Sequence, residues 1–160
     1  MTGAPKIGRD KTPDEALASL MRLCAKGERC SGDARRLMYR WGVPAGDQPK
    51  ILDTLIAQKF IDDGRYAVAY VREKVRFSGW GAHKIRAALS GKGIAREIIE
   101  RALEGLDSEV MDTRLEKSLA RKAERLNPTT PYELRTKLIR YGLSLGYDYD
   151  KVSEAVKKQL

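Results

Sequence analysis

Cationic side chains crowd the central stretch of the chain, residues 62–94. They are Arg65, Arg72, Lys74, Arg76, Lys84, Arg86 and Lys92. Within that run Glu73 is the single acid. Guanidinium and ammonium groups bind carboxylates and phosphates through charge-assisted hydrogen bonds. The chemistry that this stretch offers is therefore recognition of an anion.

Three of these arginines share one helical stripe. Arg65, Arg72 and Arg76 are seven and four residues apart, which places them within about 20° of a common line. We predict that the stripe is presented beside a buried face of the same helix. That buried face is predicted from Tyr66, Ala67, Tyr70, Val71, Lys74 and Phe77. The alternative is that each arginine belongs to an ordinary solvated helix face with a partner four residues away.

Trp80 and His83 are the other candidates in this stretch. Trp80 lies between Gly79 and Gly81, where we expect it to plug the joint between two helices. Stacking on a nucleobase or on a partner's aromatic ring is the alternative. Backbone freedom at a tight turn explains the two glycines, and the spacing of a nucleotide-binding loop is missing. His83 is expected to be exposed or to cap the helix that it begins.

Neither a catalytic site nor a metal site is expected. Cys24 and Cys30, with the single His83, lack the spacing of zinc ligands or of a CxxC redox pair. Both thiols are expected to be reduced. The short acidic groups at 62–63 and 148–150 each precede a helix, where capping explains them. We therefore predict a protein that is not an enzyme and needs no metal or other cofactor.

The overall charge also favours an anionic partner. The 160-residue chain is 42% hydrophobic, enough for a core, and it carries a net charge of +9 with a pI near 9.6. The excess of basic residues is spread along the chain and is not confined to one tail. No apolar run approaches the about 20 residues that cross a bilayer, and no secretory signal is visible. We expect a cytoplasmic location and no membrane partner.

Hydrophobic periodicity divides the chain into nine helices, and no segment alternates as a strand would. Pro13 and Pro131 open the first and eighth helices, and Ser31 or Asp33 is expected to cap the second. The predicted units are a flexible tail at 1–12 and three-helix repeats at 13–60, 61–106 and 107–160.

A period of about 50 residues relates these repeats. A shift of 49 residues places the arginine stripe of the fourth helix on Arg114, Arg121 and Arg125. A glycine followed by an apolar residue recurs before each third helix, as Gly42-Val43, Gly93-Ile94 and Gly146-Tyr147. The first repeat keeps part of the stripe, as Arg22 and Lys26, and its loop is longer by three residues.

Repeats this small cannot bury their apolar faces alone. The predicted fold is therefore all-α, with three tandem three-helix repeats stacked into an elongated, curved molecule. Corresponding faces line up in such a stack, so the arginine stripes are expected to form a discontinuous basic track along one side. We expect the stack to be a monomer.

The central stretch closely resembles the characteristic motif of the RecX family of regulatory proteins. The matching residues are Asp62-Asp63, Tyr66-Ala67, Tyr70-Val71, Gly79-Trp80-Gly81, Lys84-Ile85, Leu89 and Lys92-Gly93-Ile94. The resemblance is strong over residues 61–104, fair over 107–158 and poor before about residue 34. The first repeat departs from the pattern through its longer loop.

The resemblance implies tandem three-helix repeats without enzymatic activity. It also implies binding to the RecA recombinase filament on single-stranded DNA, with inhibition of its ATPase, strand-exchange and co-protease functions. Such a protein acts in DNA recombination, DNA repair and the SOS response. The single-stranded DNA would be reached through the filament or by direct contact, and the cations above with Trp80 are the candidate contacts.

Two other functions are compatible with the sequence. The fifth and sixth helices around Gly91 and Gly93 could form a helix-turn-helix in a stand-alone DNA-binding protein. However, the sixth helix offers Arg96 followed by Glu97 and Glu100, a poor surface for a phosphate-lined groove. A scaffold repeat protein for peptides is the third class, and its binding would show little salt dependence.

Overall fold

The computed structural model describes residues 10–128 and 130–160, and these residues form helices without a β-strand. The helices are α1 (Pro13–Lys26), α2 (Ser31–Arg40), α3 (Gln48–Ala57), α4 (Asp63–Glu73), α5 (Ala82–Gly91), α6 (Arg96–Glu104), α7 (Ser108–Arg125), α8 (Pro131–Ser144) and α9 (Tyr149–Lys157). A π-helical turn, Lys74–Ser78, continues α4. The predicted all-helical architecture is confirmed.

The predicted tail at 1–12 meets the described part of the chain only at its last three residues. Residues 1–9 lie outside the described residues. The backbone N–H of Lys11 donates to the carbonyl of Trp41 at 2.9 Å, and the lysine Nζ lies 5.1 Å from the centre of that indole ring. Thr12 then forms a capping box with Glu15 at the start of α1. Ordered contacts therefore begin before α1 itself.

The helices group into three triplets, α1–α3, α4–α6 and α7–α9. In each triplet a glycine with a positive φ precedes the third helix. The φ angles are +69° at Gly42, +82° at Gly93 and +96° at Gly146. An apolar residue follows each glycine and is buried, in turn Val43, Ile94 and Tyr147. Side chains with a Cβ avoid this conformation, so the glycine ends one helix and aims the next one back at the core.

The buried residues form three clusters that follow one another along the chain. The first contains Ala16, Leu20, Ala34, Met38, Val43, Ile51, Leu52, Leu55 and Ile61. The second contains Cys30, Tyr66, Ala67, Val71, Val75, Ile85, Leu89, Ile94, Ile99, Ala102 and Leu103. The third contains Leu115, Leu119, Leu138, Leu145, Tyr147, Val152, Ala155 and Val156. Trp80 and Met111 pack against both the second and the third cluster.

The buried face of α4 differs from the prediction at one aromatic residue. Tyr66 is buried and Tyr70 partly so, but Phe77 is 72% exposed and Val75 takes the core position. The physical reason is the π-helical turn, which contains an extra residue and carries Phe77 off the line that the two tyrosines define. The prediction that Phe77 belongs to the core is therefore wrong.

The start of α2 is held by the next triplet. The residue at the N-cap of α2 is the buried Cys30, and Asp33 completes a capping box by accepting the Cys30 N–H at 3.3 Å. Of the two predicted capping residues, Asp33 therefore contributes to the cap and Ser31 does not. Ser31 instead donates from its N–H and its hydroxyl to the carboxylate of Asp63, at 2.8 and 2.5 Å. Asp62 accepts the N–H of Arg65 and caps α4 as predicted. Asp63, the other predicted capping acid, instead joins the first two triplets.

A second close approach joins α5 to the joint before α9. The N–H of Gly81 donates to the carbonyl of Leu145 at 2.7 Å, and a Cβ on Gly81 would lie 2.6 Å from the carbonyl oxygen of Gly146. Gly81 is therefore needed because a side chain has no space here. Its φ of −90° is open to any residue, so backbone conformation does not require a glycine. Only Gly79, with a φ of +68°, needs the conformational freedom predicted for both.

His83 belongs to the same contact. Its N–H donates to the carbonyl of Gly146 at 3.0 Å, and its ring bonds to the carboxylate of Asp148. Asp148 makes no side-chain capping bond to α9, so the expectation that it acts as a cap is wrong. The histidine is exposed, as predicted, and it bridges α5 to the loop before α9.

Candidate binding groove

A groove runs along α4, between that helix, the end of α6 and the start of α7. The arginine groove, as we name it, has a volume of about 810 Å³. It is lined by Val68, Val71, Arg72, Val75, Arg76, Arg101, Ala102, Gly105, Leu106, Asp107, Glu109, Val110, Met111, Thr113, Arg114 and Lys117. Aliphatic side chains make up much of the lining, which also contains five cations and two acids.

A smaller depression of about 530 Å³ extends the groove towards the start of α4. The two share Val68, Arg72, Arg101 and Ala102, and the extension adds Arg65 and Glu97 among others. Together they follow α4 from Gly64 to Arg76, about 18 Å at the helical rise per residue.

The cations of the groove differ in what holds them. Arg114 is partly buried and its Nε donates to the carbonyl of Val75 at 3.1 Å, so it tethers α7 to the end of α4. In the described part of the chain, no carboxylate lies within ion-pair distance of the Arg72, Arg76, Arg101 or Lys117 side chains. These four charges are available to an external anion.

Lys74, Trp80 and Lys84 lie elsewhere and form a separate cluster. The Nζ atoms of Lys74 and Lys84 lie 4.9 and 4.6 Å from the centre of the Trp80 ring. Lys74 also lies 5.3 Å from the ring centre of Tyr70, which meets Trp80 edge to face. Both the packing role and the contact role considered for Trp80 suit this position, because it touches two core clusters and is partly exposed.

Three of the predicted contact residues are engaged in ion pairs inside the chain. Arg65 binds Glu28 at 2.9 Å, and it also donates to the backbone carbonyls of 59 and 60. Arg86 binds Glu100 at 2.6 Å, and this hydrogen bond raises the pKa of the guanidinium. Arg65 thus holds two loops and Arg86 joins α5 to α6, so only part of their hydrogen-bonding capacity remains for a partner.

Lys92 is the third of these residues. Its Nζ lies 3.4 Å from the Asp33 carboxylate and 5.8 Å from the centre of the Tyr66 ring. Burial by itself lowers the pKa of Lys92, but the hydrogen bond to Tyr66 and the charge of Asp33 outweigh it and raise the pKa overall. Lys92 therefore joins α5 to α2 across the boundary between the first two triplets.

Arg121 and Arg125 are exposed on α7 and do not line the groove. Their shared spacing with the α4 stripe does not bring them into one site with it. Whether they contact a partner stays a prediction.

Arg101 and Lys117 also line the groove, and neither was predicted from the sequence. Arg101 lies on α6, the helix most extensively packed against α4, and it faces the same groove as Arg72. No local motif marks either residue. The signal that could have found Arg101 is the packing of first against third helices within a triplet, which brings α6 beside the α4 stripe.

Taken together, the helical triplets and the cations that meet no carboxylate among the described residues define a helical-repeat protein with a cationic groove. No group of three or more potential metal ligands occurs in residues 10–128 and 130–160. Over the same residues, no helix has both the length and the apolar character to cross a bilayer.

Comparison with known proteins identifies the family. The family model described as RecX, second three-helix domain, matches residues 62–103. Regulatory protein RecX of Chlorobaculum tepidum is 30% identical over 142 residues, which cover 89% of this chain and 86% of that protein. This chain belongs to the RecX family of regulatory proteins.

Other relatives differ in length. Regulatory protein RecX of Clostridium botulinum strain Alaska E43 is 34% identical over 113 residues, 69% of this chain and 52% of that protein. The chain thus spans about half the length of these clostridial relatives. The crystal structure of a regulatory protein RecX superposes with a TM-score of 0.83 at 26% identity, covering 91% of this chain and 73% of the other.

Proposed function

We propose that this protein is a non-enzymatic regulator that binds the RecA recombinase filament on single-stranded DNA. In this role it inhibits the ATPase, recombination and co-protease activities of the filament. Membership of the RecX family of regulatory proteins is the observation that carries the proposal. We propose that it acts as a monomer in the cytoplasm.

The arginine groove supports the proposal because it offers several unpaired charges along one helix. Arg72, Arg76 and Arg101 lie where an acidic protein surface or a phosphate backbone can reach them. Affinity is then the sum of many weak charged contacts, each of which salt screens. A filament repeats its surface, so a chain of tandem repeats can touch more than one subunit and hold the filament in a state that does not turn over ATP.

The test is the single-stranded-DNA-dependent ATPase of the RecA recombinase, measured with and without this protein. Wild type is expected to inhibit, and inhibition is expected to weaken steeply with added salt. Arg72→Glu combined with Arg76→Glu is expected to abolish inhibition while leaving the helical circular dichroism unchanged, since both side chains are exposed.

A matched control reverses the same number of charges outside the groove. Arg35→Glu combined with Arg40→Glu changes two exposed α2 arginines that touch no carboxylate in the described part of the chain. This control is expected to inhibit much as wild type does. Full inhibition by the Arg72 and Arg76 variant would remove the groove from the proposal. Tight binding to DNA alone, with no effect on the recombinase, would favour a stand-alone DNA-binding protein.

A further inference from the structure

The arginine groove combines an apolar floor with a cationic rim, and this combination restricts what it can bind. We propose that it is a docking site for an acidic protein segment that lays aliphatic side chains on the floor and carboxylates against the rim. The inference rests on the proposed function, in which the segment belongs to the recombinase.

The floor of the groove exposes aliphatic surface that the fold itself does not need to leave open. Val68 on α4 is 47% exposed and Val110 on α7 is 57% exposed, and both line the groove. Val71 and Val75 also line the groove, but they are buried and belong to the second cluster. A partner that covers the two exposed valines gains apolar burial on a rigid surface.

The rim selects for negative charge. Arg72, Arg76, Arg101 and Lys117 have no carboxylate partner in the described residues, as shown above. Of the two acids in the lining, Asp107 already accepts the N–H groups of residues 109 and 110 at the start of α7. A segment that carries carboxylates therefore meets four unpaired cations, and Arg72, Arg76 and Arg101 can each bind one in the bidentate manner.

The groove lacks what a nucleic acid needs. Single-stranded DNA gains affinity by stacking its bases on aromatic side chains, and no aromatic residue lines the arginine groove. The nearby Trp80 and Phe77 lie outside its lining, and two lysines already contact the Trp80 ring. These observations favour a peptide over DNA.

The dimensions and charge of the groove also limit the occupant. Together with its extension, the groove is about 18 Å long and accommodates about three turns of a helix or five extended residues. A second copy of this chain would bring its own net charge of +9 against a basic rim, so self-association there is disfavoured. An acidic segment of a different protein meets both limits.

The test separates apolar contact from charge. Val68→Ser with Val110→Ser removes the exposed floor without changing the net charge, and serine and valine have similar helix propensities. We expect the concentration of protein that half-inhibits the recombinase ATPase to rise about tenfold. Affinity for a fluorescent oligothymidine should stay unchanged.

The matched control makes the same kind of change outside the groove. Ile56→Ser with Leu143→Ser alters two aliphatic side chains that are 48% and 43% exposed and do not line it. This control is expected to inhibit as wild type does. If the Val68 and Val110 variant also inhibits as wild type does, the floor is not a contact surface and the inference fails.

Photo-crosslinking identifies the occupant directly. A benzoylphenylalanine at position 110, added to the filament on single-stranded DNA, is expected to crosslink to a recombinase peptide that carries acidic and aliphatic residues. Crosslinking to DNA, or to a peptide without acidic residues, would overturn the inference while leaving the proposed function intact. Failure of the wild-type protein to inhibit the recombinase would instead overturn the proposed function.

Discussion

The cations of the central stretch belong to two regions with different surroundings. At the boundary between the first two triplets, Lys92 contacts Asp33 and Tyr66, and it is partly buried. In the arginine groove, Arg72 and Arg76 are exposed and meet no carboxylate among the described residues. Both regions include residues of the second triplet, but the boundary extends to the first triplet and the arginine groove to the third.

A cationic run in a sequence is therefore not one binding surface. A cation that is partly buried beside a carboxylate and an aromatic ring contributes to stability, because losing it leaves polar groups unsatisfied. An exposed cation without a partner contributes little to stability, so its charge remains available for binding. We call the boundary between the first two triplets the junction. Substitutions in the junction should therefore change stability, whereas substitutions in the arginine groove should change inhibition.

The largest loss of stability is expected where the junction leaves no space for an added side chain. A Cβ on Gly32 would overlap the backbone carbonyl of Lys92, so Gly32→Ala should lower the free energy of unfolding by about 3 kcal/mol. Gly91→Ala is the matched control, because nothing lies within 4 Å of its added Cβ. Its stability should be unchanged or raised by up to about 1 kcal/mol. Urea unfolding measures both, and a fully stable Gly32→Ala protein would show that these backbones do not touch.

Two substitutions to methionine, one in each region, are expected to have effects of intermediate size. Lys92→Met should lower the free energy of unfolding by about 1 kcal/mol and leave inhibition per folded molecule unchanged. Arg101→Met should keep the free energy of unfolding within about 0.5 kcal/mol and weaken inhibition of the recombinase about fivefold. Urea unfolding and the ATPase assay are run on both proteins. Equal effects of the two variants in both assays would abolish the distinction between junction and groove.

The smallest effect concerns the pH dependence of the junction. Burial raises the pKa of Asp33, but hydrogen bonds from Arg36 and Cys30 and the charge of Lys92 outweigh it and lower the pKa overall. Because the native pKa is lowered, the ionised carboxylate stabilises the fold at pH values above the unfolded pKa of about 4. This stabilisation is lost as the pH falls through the native pKa. The stability difference between wild type and Asp33→Asn should therefore shrink from pH 6 to pH 3.

Asp53→Asn is the control for this measurement, because that carboxylate is exposed and meets no cation in the described part of the chain. Its stability difference from wild type should vary less with pH than that of Asp33→Asn. If the two variants follow the same pH profile, the Asp33 carboxylate does not contribute to the junction as inferred.

Much of the fold was predictable because helices follow from local rules. Pro13 and Pro131 mark helix starts, and the glycines at 42, 93 and 146 mark the joint of each triplet. The contacts of Asp63 and Asp148 were not predictable, because an acid before a helix can cap it or can reach another element. The choice depends on which neighbour the stack brings within reach.

The candidate site was predictable only in part. Arg72 and Arg76 share a stripe by helical geometry alone, and both line the groove. Arg101 lies 25 residues beyond Arg76 in the sequence and reaches the same groove only because α6 packs on α4. Phe77 left its predicted face because one π-helical turn changes the rotation that periodicity assumes.

The amino-acid sequence by itself determined the helices, the repeating glycine joints and the excess of positive charge, because each depends on neighbouring residues or on composition. The tertiary structure alone decided which cations are paired and which remain free. Pairing requires a carboxylate to lie within about 4 Å, and the partners of Lys92 and Arg65 are distant in sequence at Asp33 and Glu28. Only packing of the triplets brings such groups together.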